Sequence, residues 1–344
     1  VKVLILKPSS LGDVVQAIPL LRLIKSRFPE SEVYWWLAKE LMPLLEGDPQ
    51  LKKVFPFIRR DWGSAGNLGS MLRTVAETRA IQFDWILDLQ GLARSAVFAW
   101  LANGATAVGL DNPREGASLA YDVAVPRPGP DSHALDWYLR VLKVMGAPVH
   151  WDFDWLPKRA EAGSRVAAQL GGRGDRLVAV CPGARWNTKR WPLEYFDRLL
   201  TLISDRDPRI RFAIIGGKED REMGKILKGS DSACRIDLTG KTSLPEMVEW
   251  IRACQMVITN DTGPMHVGAA LGIPILGLFG PTDPRQTGPY GQVEHALQLD
   301  TLPCIPCKKS TCRLDRPMEC LRALTPAFVF ERFIERWDSV SSAA

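Results

Sequence analysis

Short, unbroken apolar runs alternate with segments of helical period along almost the whole chain, and no other feature constrains the fold as much. Val3-Leu4-Ile5-Leu6 carries no polar residue, a helix-period segment runs from about Val14 to Arg27, and a second apolar run spans Val33 to Leu37. Trp85 to Leu89 repeats the pattern and leads into a helical segment that opens near Leu92. A strand without a polar face must be covered on both sides, as strands are in a parallel sheet flanked by helices.

The series then restarts. Between Trp155 and Asp175 the chain carries Pro157, Gly163, Gly171, Gly172 and Gly174 around one helical piece. Leu177 to Val180 opens a new run of strands, with Phe212 to Ile215, Met256 to Thr259 and Ile275 to Leu278 following. Helical segments at Leu193–Ser204, Glu219–Leu227, Leu244–Ala253 and from about Gly263 lie between them. Two doubly wound α/β domains in tandem are expected, at residues 1–157 and 158–325. A last helix, within residues 326–344, carries an apolar stripe at Phe330, Phe333, Ile334 and Trp337. That stripe could cap either domain, and packing back on the first is the expectation. In such folds ligands bind where strands end, here in a cleft between facing domains.

The 344 residues suit two domains, and 46% hydrophobic with 24% charged residues builds real cores. Val1 to Lys7 reads as a strand rather than a leader, and apolar stretches such as Val267 to Leu278 are too short to span a bilayer. A cytoplasmic protein is expected, peripheral at most on the inner membrane face. The net charge of +5 is spread along the chain, with no dense lysine-arginine block and no nucleic-acid motif. An anionic substrate or an acidic membrane face accounts for it as well.

Five segments at strand ends carry chemistry. In Lys7-Pro8-Ser9-Ser10-Leu11-Gly12-Asp13, Ser9 or Ser10 can cap the following helix and Asp13 falls in its first turn. Asp13 either complements the helix dipole or acts as a general base on a hydroxyl, with Lys7 to hold an anion or steer it. Cys181 to Pro192 is a cationic, glycine-containing loop whose Lys189 and Arg190 suit phosphates. Thr259 to Ala270 turns from strand to helix at Gly263-Pro264, and the first-turn amides form a phosphate seat. His266 there fits either a core histidine or a contact to a leaving diphosphate. Gly280-Pro281-Thr282-Asp283-Pro284 places Thr282 and Asp283 beside that seat. In Gly216-Gly217-Lys218-Glu219-Asp220, an acid just after the glycines could hold a ribose hydroxyl pair.

Three of the seven cysteines are dispersed, and Cys304, Cys307, Cys312 and Cys320 crowd together with two, four and seven residues between them. They could ligate zinc or an iron–sulfur cluster, or form a loop of reduced thiols, with no part in catalysis.

Taken together, these motifs resemble glycosyltransferase family 9, the ADP-heptose:lipopolysaccharide heptosyltransferases. The resemblance rests on Lys7 to Asp13, Leu87 to Leu92, Asn112 to Glu115, Cys181 to Ala184, Thr188 to Pro192, Asn260 to His266 and Gly280 to Pro284. It implies a GT-B fold, with acceptor on the first domain and nucleotide sugar on the second, and an inverting reaction with no metal in its chemistry. It implies Asp13 as the base. Lys189, with Thr188, would bind the donor phosphates, Asp261, Thr262 and Gly263 would seat the diphosphate, and His266 would line the site. Asp220, among Glu219, Asp220 and Glu222, is the candidate ribose acid. Lys7, Ser10, Gln90 and Arg114 face the acceptor, with Arg60, beside Arg59 and Trp62, in a loop that reaches it. The donor is expected to be an ADP-sugar and the acceptor a lipid A-Kdo type glycolipid, with no nucleic acid partner and a monomeric chain. Leu87–Leu92 and Asn112–Glu115 look more like the enzyme that adds the first heptose. Cys181–Pro192 and the cysteine cluster look more like the enzyme that adds the second. Another acceptor, protein or glycan, is the alternative, as is a non-catalytic scaffold that binds the nucleotide sugar.

Overall fold

The computed structural model describes residues 1–58, 68–112, 114–171, 176–229, 233–299 and 301–341. The chain divides into two compact units, Val1–Pro157 and Lys158–Ala344. The first contains strands β1 (Lys2–Leu6), β2 (Glu32–Ala38), β3 (Leu51–Phe57), β4 (Trp85–Asp88), β5 (Thr106–Leu110) and β6 (Val123–Val125). Its helices are α1 (Leu11–Arg27), α2 (Met42–Leu45), α3 (Leu68–Ile81), α4 (Ala93–Ala102) and α5 (Ala134–Val144). The second contains β7 (Arg176–Cys181), β8 (Ile210–Ile214), β9 (Arg235–Asp237), β10 (Met256–Asn260), β11 (Ile275–Phe279) and β12 (Ala296–Gln298). Its helices are α6 (Ala160–Leu170), α7 (Leu193–Arg206), α8 (Arg221–Lys228), α9 (Leu244–Arg252), α10 (Gly263–Ala270), α11 (Pro284–Thr287), α12 (Glu319–Arg322) and α13 (Pro326–Ser341).

Each unit forms one parallel sheet among the described residues, in the orders β3-β2-β1-β4-β5-β6 and β12-β11-β10-β7-β8-β9. The two orders are the same doubly wound arrangement, so each sheet reverses direction of travel once: between β1 and β4, and between β7 and β10. The apolar runs occupy these central places because they alone can be covered on both faces. Val3, Leu4, Ile5 and Leu6 are fully buried, and so are Val178, Ala179 and Val180. Leu4 and Leu6 pack with Trp36, Phe55, Val75 and Phe98 in one core, where Trp36 stacks on Phe98 with centroids 4.3 Å apart. No described helix is long and apolar enough to cross a membrane.

α13 completes the core of the second unit. Val329, Phe333 and Trp337 recur every fourth residue and are buried with Phe196, Leu199 and Ile203 of α7, Phe333 and Trp337 stacking at 5.5 Å. This apolar stripe meets α7 and β11. Phe333→Ala should therefore cost about 3–5 kcal/mol. Phe328→Ala, on the exposed side of the same helix, should stay within about 0.5 kcal/mol. Denaturant unfolding of the second unit measures both.

Candidate functional site

Two polar clusters stand at the two switch points. In the first unit, four residues separate the end of β1 from the start of α1, so its opening turn lies over the carboxyl edge of the sheet. Ser10 caps it, and both its backbone N–H and its hydroxyl donate to one oxygen of Asp13, at 3.0 and 2.7 Å. The other oxygen accepts from the Tyr138 hydroxyl at 3.3 Å and lies 3.9 Å from the Lys7 ammonium. The Asp13 side chain keeps 40% of its surface exposed, whereas Lys7 keeps 5%. One carboxylate oxygen thus serves the helix and the other is presented beside a buried cation.

Lys7 crosses the switch point itself. Its ammonium donates to the Leu89 carbonyl, just past β4, at 2.9 Å and lies 4.9 Å from the ring centre of Tyr138. Burial works against its charge, but the oxygens of Tyr138, Asp13 and Asp88 outweigh burial and raise its pKa. Tyr138 is pushed up to about 12, chiefly by burial, so its hydroxyl remains a donor. Asp88 is fully buried at the end of β4, which raises its pKa. It accepts from the N–H groups of Gln90 and Gly91 and from Tyr121 at 2.7 Å. Gly91 has φ +63°, and this turn leaves the buried Oε1 of Gln90 without a hydrogen-bond partner.

In the second unit the loops after β7 and β10 are stapled together. The Asn260 amide donates to the Pro182 carbonyl at 2.7 Å and accepts from the Trp191 N–H at 3.1 Å. Arg190 donates to the Ala184 carbonyl at 2.8 Å, which curls the loop and turns Lys189 inward. The Lys189 ammonium then meets one carboxylate oxygen of Asp261 at 2.6 Å, and the Thr282 hydroxyl donates to the same oxygen at 2.6 Å. Lys189 also lies 5.0 Å from the ring centre of Trp186. α10 opens directly after Asp261, with Thr262 as an N-cap whose side chain makes no capping bond and Gly263 as the first helical residue. His266 is buried in its first turns.

Of the three acids after the glycine pair, Asp220 alone is buried; Glu219 is exposed, and exposed Glu222 pairs with Lys225. The Asp220 carboxylate accepts from Gly217 N–H at 2.9 Å and fills the space a side chain would need at Gly183 and Gly216. Burial raises its pKa against that N–H. Thr188 donates its hydroxyl proton to the Lys309 carbonyl at 2.8 Å, holding the cysteine-bearing loop. Asp283 caps α11 and pairs with Arg285.

The structure brings together Lys7, Ser10 and Asp13 in one cluster and Lys189, Asp261, Thr262 and Gly263 in the other. Arg60 lies outside the described residues, and Arg114 is placed only by its backbone, at the start of the 3-10 segment Arg114–Ala120. The sequence reading missed Tyr138, Asp88 and Asn260. Tyr138 leaves one signal, a polar tip on the otherwise aliphatic buried stripe of α5.

Among the described residues no three His, Cys, Asp or Glu side chains converge to hold an ion. Cys304 is exposed on its loop, while Cys320 is buried with the core under α12. Cys320 has its pKa raised to about 11, by burial first and then by the other three cysteines. Cys312 is shifted downward by the N–H groups of Met318, Leu314 and Arg313.

Residues 71–317 match the model of glycosyltransferase family 9 (heptosyltransferase). The chain is 28% identical to lipopolysaccharide heptosyltransferase 1 of Pseudomonas aeruginosa over 322 residues, covering 90% of this chain and 87% of that protein. It is 27% identical to lipopolysaccharide heptosyltransferase 2 of Salmonella typhimurium over 332 residues, covering 87% and 88%. Its fold matches E. coli ADP-heptose lps heptosyltransferase II with a TM-score of 0.76, at 22% identity and coverage of 97% and 98%. E. coli heptosyltransferase WaaC with ADP matches with a TM-score of 0.76, at 25% identity and coverage of 97% and 99%. With two six-stranded parallel sheets in the GT-B arrangement of elements and a family match over most of its length, the chain belongs to glycosyltransferase family 9 and is a glycosyltransferase of the heptosyltransferase family.

Proposed function

We propose that this protein transfers heptose from ADP-heptose to a hydroxyl of the lipopolysaccharide inner core, Kdo or the first heptose, with inversion and without a metal ion. The donor and acceptor classes come from the relatives named above, which are heptosyltransferases of lipopolysaccharide. The observation that carries the chemistry is the Lys189–Asp261–Thr282 contact at the opening of α10. A departing diphosphate needs cationic and N–H donors aimed at its oxygens. On this reading Asp261 holds Lys189 in place, and the first-turn amides at Thr262 and Gly263 complete the seat. Asp220, at the ends of β7 and β8, would take the ribose hydroxyls.

On the acceptor side, Asp13 would take the proton of the attacking hydroxyl. Ser10 fixes its orientation, and Lys7 and Tyr138 face its other oxygen. Lys7, Gln90 with its unpartnered oxygen, Arg114 and Arg60 would line the acceptor. The proposed site of action is the cytoplasmic face of the inner membrane.

The test offers ADP-heptose with Kdo- and heptose-terminated acceptors and follows ADP release; no release with either would overturn the reading. Asp13→Asn preserves an acceptor for Ser10, so it should bind ADP as before and lose transfer by about 10²–10⁴-fold. Full activity in that variant sinks the base assignment. Lys189→Ala should weaken ADP binding roughly ten- to hundredfold, since hydrogen bonds to charged groups contribute about 1.5–3 kcal/mol. Calorimetric titration with ADP reads this, and Thr282→Val should lose less because Lys189 stays in place.

A further inference from the structure

We propose that the outer face of α3, α4 and the Arg114–Ala120 segment is a docking surface for an anionic lipid bilayer. Four large apolar side chains stand in solvent there: Leu72 is 54% exposed, Val97 50%, Trp100 70% and Leu119 93%. They sit on neighbouring elements. α4 packs against both α3 and the 3-10 segment. Arg79 of α3 donates to the Leu101 carbonyl, and Glu115 accepts from the Ala93 N–H. Ser95, Ala96, Phe98, Ala99 and Ala102 face inward, so the solvent stripe of α4 consists of Arg94, Val97 and Trp100. A water-facing stripe normally carries the charge of a helix, and here two of three positions are apolar.

Charge complementarity selects the occupant. Arg73, Arg79 and Arg94 are exposed on the same two helices. The acids of these elements are engaged elsewhere, Glu77 with Lys53 at 3.0 Å and Glu115 at the start of α4. Arginines around an exposed indole and aliphatic side chains match a boundary between anionic headgroups and acyl chains. The indole would sit at the headgroup level and Leu119 would reach below it. Trp100, Val97, Leu72 and Leu119 are not among the residues proposed for the reaction, and docking needs neither donor nor acceptor, so it can fail or hold independently of the proposed reaction.

The full chain is sedimented with vesicles of phosphatidylcholine alone and of phosphatidylcholine mixed with phosphatidylglycerol. Binding to the mixed vesicles only, weakened at high salt, is the expected result. Trp100→Ser with Leu119→Ser should reduce it at least tenfold while the melting temperature and ADP binding stay unchanged. Val97→Glu, which places a carboxylate in the patch, should act in the same direction. Arg73→Gln and Arg94→Gln should each weaken binding about fivefold. Equal partition of the Trp100/Leu119 variant and the parent protein overturns the proposal, as does absence of binding to both vesicle types. A concentration-dependent dimer that the same variant dissolves overturns it too, by making the face a contact between copies of the chain.

Discussion

A parallel strand that pairs on both sides sends its loop out over the sheet edge, and neighbouring loops normally leave toward the same face. At a switch point they leave toward opposite faces, and a crevice opens between two strand ends. This protein has two such crevices, and in both of them a lysine reaches across. Lys7 follows β1 and bonds to the carbonyl of Leu89 after β4. Lys189 follows β7 and bonds to Asp261 after β10. The strand order brings each of these two lysines to a switch point.

The two crevices treat charge differently. In the first, a nearly buried ammonium is kept charged by a carbonyl and by the oxygens of Tyr138, Asp13 and Asp88, so it acts as a fixed positive point behind Asp13. Ser10 fixes the Asp13 carboxylate from the helix side, and the Lys7 ammonium lies 3.9 Å from its other oxygen. In the second, Lys189 and Thr282 converge on a single oxygen of Asp261. A polyanion entering there on the proposed reading must share Lys189 with Asp261. The pair keeps the cation in position beforehand, so little ordering is left for the ligand to impose.

The central strands were legible because burial on both faces leaves an unbroken apolar run, as in Val3–Leu6 and Leu177–Val180. The edge was not. β3 interleaves Lys52, Lys53 and Pro56 with its buried residues, and β6, β9 and β12 are three residues long. Such strands borrow their conformation from a neighbour, and the borrowing leaves no period in the sequence. The C-terminal helix showed its stripe plainly, but a stripe does not say which core it meets. Phe333 could be assigned to the second unit only once α7 lay beside it.

The site residues show a sharper limit of the same kind. A polar side chain at a strand end can bind a ligand or bind its own chain, and residue type and spacing do not distinguish the two. Thr188 and Asp283 sit in the motifs that carry the family resemblance, yet Thr188 holds Lys309 and Asp283 holds the start of α11. Asp13 has one oxygen committed to the helix cap and the other turned toward Lys7 and Tyr138. The helix-dipole reading and the general-base reading of Asp13 therefore do not exclude one another. On the proposed reading the cap aims the base, and Tyr138, 125 residues away, enters that account only through the fold.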